Sequence, residues 1–251
     1  MSTSYDISVQ EPVHGQNDIK NAEEAIKRFR EDDDPQTIFF LNFAPEFDGM
    51  EDLHVTKYSW ATKIEQTVQA QYGKEKERHA IQLSWDRASY RAKLVDYLLR
   101  TTPWCIFGVD RVKDAEKHDL TGDYHHDKEV YKGATSDWLQ ASLPEVPVDR
   151  LQVIVKYIAE TLALSQGRLQ GVQRFAVALS VESENEALNQ PGLRTVVLAF
   201  DRKAKENQVE VTGTLYEAKV NNKLLHQQKF DQKMLDLGKP LVHEWTLDIA
   251  A

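Results

Sequence analysis

The chain has a single cysteine, Cys105, among 251 residues. One thiol excludes an intrachain disulfide framework and any CxxC metal site. No apolar run approaches the roughly 20 residues needed to span a bilayer. The first residues, Met-Ser-Thr-Ser-Tyr-Asp, show no basic stretch leading into an apolar one, so no secretory signal is visible. No Asn-x-Ser/Thr acceptor occurs. Together these absences set the expectation of a cytoplasmic protein. Familiar catalytic signatures are also missing: there is no P-loop, GxGxxG, HExxH or EF-hand loop. Ser165 stands in Leu-Ser-Gln-Gly, which lacks the glycine two residues upstream that a nucleophile elbow needs.

What is present is ordinary for a globular chain. Hydrophobic residues make up 41% and charged residues 28%. The net charge of −9, with a pI near 5.4, argues against a broad nucleic-acid-binding face. The length suits one large domain or two small ones. No Pro/Gly/Ser linker is evident, so residues 1–251 read as a single domain, with a possible subdivision near residue 170.

The pattern of apolar residues divides the chain in two. In the first part, Tyr5 to Val9 reads as an edge strand. A helix capped by Asn17 or Asp18 runs to about Arg30, before the acidic run Glu31 to Asp34. Thr37 to Phe43 is apolar and aromatic, as a central strand is. A helix is expected from about Asp52 to Tyr72, with Tyr58, Ala61, Ile64 or Glu65, Val68 and Tyr72 along one stripe, and Gly73 closes it. His79 to Val112 reads as strand, helix, strand. Ile81, Leu83 and Trp85 alternate, Asp86 caps a helix, and Ala88, Ala92, Val95 and Leu99 form its inner face. Pro103 ends it. Trp104 to Val109 then reads as a short buried strand; if it runs parallel to the first, the crossover between them is right-handed. A weak helix follows from Lys128 to Ala141, with Val130, Ala134, Trp138 and Ala141 inward. Pro147 starts a strong one, with Val148, Leu151, Val155, Ile158 and Leu162 in a stripe.

From Val172 the period becomes two. Phe175, Val177, Leu179 and Val181 alternate. Thr195 to Phe200 and Gln208 to Val220 read as further strands. Asn221-Asn222 fits a type I′ turn into a strand from Lys223 to Phe230. Leu241, His243, Trp245, Leu247 and Ile249 alternate through the last strand. The fold class expected is therefore α+β: a helix-rich first two thirds, then an antiparallel meander of about five strands packed against the helices.

Chemistry is concentrated in one stretch. After Val109 come Asp110 and Arg111, then a segment holding His118, Asp119, Asp123, His125, His126 and Asp127. Sites gather beyond the carboxyl ends of parallel strands. His118, Asp123, His125, His126 and Asp127 are the ligand types that hold Zn²⁺, Mn²⁺ or Fe²⁺. In that reading a bound metal activates water, with Asp110 and His126 as the catalytic candidates. The spacing matches no established metal motif, and a solvated polar loop has the same composition. Cys105 sits in an apolar run, as a buried structural thiol does.

Three functional readings follow. The first is a non-enzymatic binding or interaction protein, whose sheet pairs with a protein partner or carries a small ligand. The second is a metal-dependent hydrolase built on Asp110 to Asp127. The third is a membrane-acting protein of the cytolytic kind, in which helices peel from a sheet to make peripheral membrane contact.

Overall fold

The computed structural model describes residues 35–44, 47, 49–72, 80–165, 169–182, 190–203, 207–239 and 244–246. Strand Tyr5 to Val9, the helix ending near Arg30, the acidic run to Asp34 and the connection around Gly73 to Arg78 lie outside these residues. In chain order the elements are β1 (Ile38–Asn42), α1 (Met50–Tyr72), α2 (Ala80–Arg100), β2 (Cys105–Asp119), α3 (Tyr124–Ser142) and α4 (Val148–Leu164). Then follow β3 (Gly171–Glu182), β4 (Pro191–Lys203), β5 (Gln208–Val220), α5 (Asn222–Gln227), α6 (Gln232–Gly238) and β6 (Glu244–Thr246).

The described residues form helices and one six-stranded mixed sheet. The strand order is β2-β5-β4-β3-β1-β6. β1 runs parallel to both β3 and β6, whereas β2, β5, β4 and β3 are mutually antiparallel. Strands from before residue 170 thus pair with strands from after it.

β1 shows how the layers are built. All five of its residues are buried, and successive side chains point to opposite faces. Phe39 and Leu41 enter a core with Tyr131, Leu139, Leu151, Ile154, Val155 and Ile158, from α3 and α4. Ile38 and Phe40 enter a second core with Leu53, Tyr58, Ala61, Ala92, Val95 and Leu99, from α1 and α2. We call these the α3/α4 face and the α1/α2 face. β3 alternates likewise, with Phe175, Val177 and Leu179 on the first and Ala176 and Ala178 on the second. Each fully buried large side chain contributes about 1.5–3 kcal/mol, so the sheet is anchored from both sides.

Several expectations need correction. Ala80 to Trp85 is not a strand, since helix α2 already begins at Ala80; His79 lies outside the described residues. Ser84, Trp85, Ala88, Ser89, Ala92, Val95, Asp96 and Leu99 are buried, at helical spacing, and Leu83 is 41% exposed. Three alternating residues could not distinguish a period of two from one of 3.6. Asp86 is inside the helix and accepts from Gln82 Nε2 at 2.7 Å rather than capping it. With no strand there, the parallel strand-helix-strand unit does not form. Instead the α2 side chains meet the start of β3, where Ser89 Oγ donates to the Val172 carbonyl at 2.9 Å.

Asn221-Asn222 is not a hairpin turn. Asn221 Oδ1 accepts from the Leu224 N–H at 3.1 Å and caps α5, so Lys223 to Phe230 is not a strand. The last strand is parallel to β1 rather than the end of a meander, and its described part is Glu244–Thr246. Leu241, His243, Leu247 and Ile249 lie outside the described residues. In α3, Ala134 is buried as expected and Val130 and Trp138 are partly covered, but Ala141 is exposed. In α4, Leu151, Val155, Ile158 and Leu162 are buried, and Val148 is 60% exposed.

Candidate functional site

The stretch from Asp110 to Asp127 is not a loop. β2 continues to Asp119, and α3 begins at Tyr124. Asp110 lies on β2 where the register against β5 shifts between Val109 and Arg111. His118 is also on β2, opposite Val209, with Nε2 3.6 Å from Glu116 Oε2. Asp123 is the N-cap of α3 and accepts from the His126 N–H at 2.9 Å. His125 lies edge-on to Tyr124, 5.2 Å between ring centres.

Asp127 is the organising residue of this turn. It is fully buried. Its carboxylate accepts from the Thr121 and Gly122 N–H groups at 2.8 and 3.1 Å and from the Thr121 hydroxyl at 3.2 Å. His126 Nδ1 lies 2.9 Å away. Gly122 adopts φ +85°, which a side chain would strain. Burial works to raise the Asp127 pKa, but the hydrogen bonds from Thr121, His126 and Gly122 outweigh it and hold the carboxyl below its ordinary value. The structure thus brings Asp123, His126 and Asp127 together and leaves Asp110 and His118 on the strand. Among the described residues, no group of three or more His, Cys, Asp or Glu side chains is arranged to hold a metal. What Asp127 does with its oxygens is fasten β2 to the start of α3.

The other end of β2 has a different character. Among the described residues, β2 is the last strand on its side of the sheet. Its first five residues, Cys105 to Val109, carry no charge, whereas Asp110, Arg111, Lys113, Asp114, Glu116, Lys117 and Asp119 follow. The charged half also has two register shifts, at Val109/Arg111 and Lys113/Glu116. Charges and bulges are the usual guards of an edge strand. They guard β2 from Asp110 onward and leave Cys105 to Val109 without them. Within the charged half, Lys113 Nζ donates to the Ala134 carbonyl at 3.0 Å and the Arg111 guanidinium to the Ala141 carbonyl, which ties the strand to α3.

The hydrogen-bond phase of the uncharged end can be read directly. The Asn221 N–H donates to the Trp104 carbonyl at 3.0 Å, and Cys105 is opposite Val220. Cys105 is therefore in a non-hydrogen-bonded pair, and the antiparallel alternation places Ile106 and Gly108 in bonded pairs with Lys219 and Glu217. The backbone N–H and C=O of Phe107, and of Val109 up to the register shift, then point away from β5, off the sheet. Ile106 on the α3/α4 face is 77% exposed, and Val109 on the other face is 61% exposed.

Beside this edge lies an open groove of about 840 Å³ on the α3/α4 face, bordered by Ile106, Gly108, Gly192, Arg194, Glu217 and Lys219. Gly108 leaves its floor low, since a Cβ there would meet nothing within 4 Å, whereas the space over Gly192 is taken by the Val181 side chain. Arg194 pairs with both Glu145, in the α3–α4 turn, and Glu217 on β5. Cys105, at the start of the edge, is buried, and burial pushes its thiol up to about 12, with Lys57 pulling the other way.

Trp104 to Val109 was expected as a buried strand; the strand begins at Cys105 and lies at the edge of the described sheet. Its apolar composition resembled a core strand's. The signal for an edge was the dense charge that continues the same strand from Asp110 to Asp119. Comparison with protein-family models, curated proteins and solved structures returns no match.

Proposed function

We propose that the chain is a non-enzymatic binding protein that receives an extended segment of a protein partner along the uncharged end of β2. One observation carries this reading: Phe107 and Val109 direct backbone donors and acceptors off the edge, with exposed apolar side chains at Ile106 and Val109 beside them. Strand addition uses this combination, in which backbone bonds give affinity and flanking side chains give selectivity. The groove over Gly108 offers room for side chains of the incoming strand on one face. Against the hydrolase reading stand the structural roles of two of its residues, Asp123 as the N-cap of α3 and Asp127 as the acceptor for Thr121 and Gly122. The membrane-acting reading has no feature of its own, and no helix among the described residues is long and apolar enough to cross a membrane.

The test is selection from a displayed library of random dodecapeptides, followed by titration against the Val109→Pro variant. Proline at an outward-facing edge position removes a donor without touching the ladder to β5. Selected peptides are expected to be rich in β-branched and aromatic residues, and to bind the variant at least about tenfold more weakly, the equivalent of one to two strand hydrogen bonds. Equal binding to both proteins, with unchanged melting temperature, would place the binding surface elsewhere.

A further inference from the structure

Building on that reading of the edge, we infer that its occupant is the same edge of a second copy, so that the chain forms a symmetric dimer with one continuous sheet. The argument rests on the order of residues along Cys105 to Val109 and on their hydrogen-bond phase. Two antiparallel strands of one sheet are related by a two-fold axis perpendicular to it, and such an axis pairs each residue with its mirror position in the other copy. An axis through Phe107 sets Phe107 against Phe107, Cys105 against Val109 and Ile106 against Gly108. Every residue that this requires to bond outward is one whose backbone already points outward. Each Phe107 N–H donates to the other Phe107 carbonyl, and each Val109 N–H donates to the other Cys105 carbonyl. Cys105 takes part through its carbonyl alone, since its N–H already donates to the Thr102 carbonyl at 3.0 Å.

The side chains agree with this register. Ile106, 77% exposed in the single chain, falls across from the bare Gly108 of the second copy, where a Cβ would meet nothing within 4 Å. By symmetry the contact occurs twice. A large side chain over an edge glycine is a known stabilising device. The flanking positions bring Asp110 opposite Trp104 and Arg111 opposite Pro103, so no like charges face each other. Moving the axis to Gly108 would set Ile106 against Asp110 and leave the two glycines facing an empty space. Moving it to Cys105 would lose both central bonds, because the N–H of each Cys105 is already used. The axis at Phe107 keeps every central pair uncharged. A strand pair this short lies at the low end of specific interfaces, so the dimer is expected to be weak and concentration-dependent.

Analytical ultracentrifugation of the full chain, from low to high micromolar, tests this. The wild type is expected to pass from monomer to dimer. Val109→Pro should lower the association constant at least about tenfold. Ile106→Asp, at an exposed position that cannot unfold the chain, should do the same, because it sets a carboxylate across Gly108 from Glu217. Leu237→Ser, which removes a 60% exposed side chain on α6, should leave association unchanged. A wild type that stays monomeric throughout, or a dimer that both edge variants leave intact, overturns the inference. The peptides selected above separate the two ideas. A monomer that still captures them, and loses them on Val109→Pro, removes self-pairing and keeps strand addition. A monomer that captures none removes both.

Discussion

The imidazole of His54 lies flat on the ring of Phe40, with centroids 4.8 Å apart and planes 24° apart. The pair joins α1 to β1. His54 is 1% exposed, and its Nε2 has no hydrogen-bond partner among the described residues. Burial brings its pKa from the ordinary 6.5 down to about 3. The unfolded chain therefore binds a proton below pH 6.5 that the folded chain refuses until about pH 3. Stability is unaffected above pH 6.5 and falls as the pH drops through this window. At pH 5 the loss from this residue should be about 2 kcal/mol. His54→Phe keeps the stacking and has no proton to bind. Urea melts at pH 7.5 and pH 5 should show the variant losing about 2 kcal/mol less than the wild type between the two.

Asp127 shows the same linkage with an acid. Its folded carboxyl titrates below the ordinary 3.8, so its contribution is present above that pH and disappears as the pH falls through the folded value. Asp127→Asn puts a donor among the N–H groups of Thr121 and Gly122 and should cost about 2–3 kcal/mol at neutral pH. Asp123→Ala, which removes only the exposed N-cap, should cost about 1 kcal/mol. Equal losses in thermal or urea melts would mean that the buried carboxylate is not what holds β2 to α3.

Gly213 on β5 gives way to Trp138 of α3. A Cβ at residue 213 would stand 2.6 Å from Trp138 Nε1 and 3.0 Å from two ring carbons. The Arg111 guanidinium lies over the same ring, 5.1 Å from its centre. Gly213→Ala should therefore cost about 1–3 kcal/mol through overpacking. In a Trp138→Ala background the same change should cost less than half as much, since its collision partner is gone. Additive losses in this double-mutant cycle would show that Trp138 is not the constraint.

How far the sequence carried these conclusions depends on whether local pattern or tertiary pairing decided each element. β5 was expected at Gln208 to Val220 and is found there, because Val209 to Leu215 alternate over the α3/α4 face, and Ala218 and Val220 continue the strand on the other. The α4 stripe and the buried Thr37 to Phe43 run were legible for the same reason. Trp85 was misread because its neighbours Leu83 and Ile81 are too few to set a period. Asn221 suits a turn and a helix cap equally, and only the Leu224 N–H decides between them. In the candidate metal set, Asp123 and Asp127 are common types for a helix start, and that start was obscured by the histidines between them. The edge position of β2 was not legible from Cys105 to Val109 at all. A buried strand and an unguarded edge have the same apolar composition, and which one forms depends on whether another strand pairs with it.

The most direct test of the account is residue-resolved amide hydrogen exchange along β2. In dilute protein, Ile106 and Gly108 should exchange slowly, because their N–H groups bond to β5, and Phe107 between them should exchange at least about tenfold faster. Adding a selected peptide, or raising the protein concentration, should slow Phe107 selectively. A Phe107 amide as protected as its neighbours in the dilute chain, or one unchanged when the edge is loaded, would contradict the reading of β2 as a binding edge.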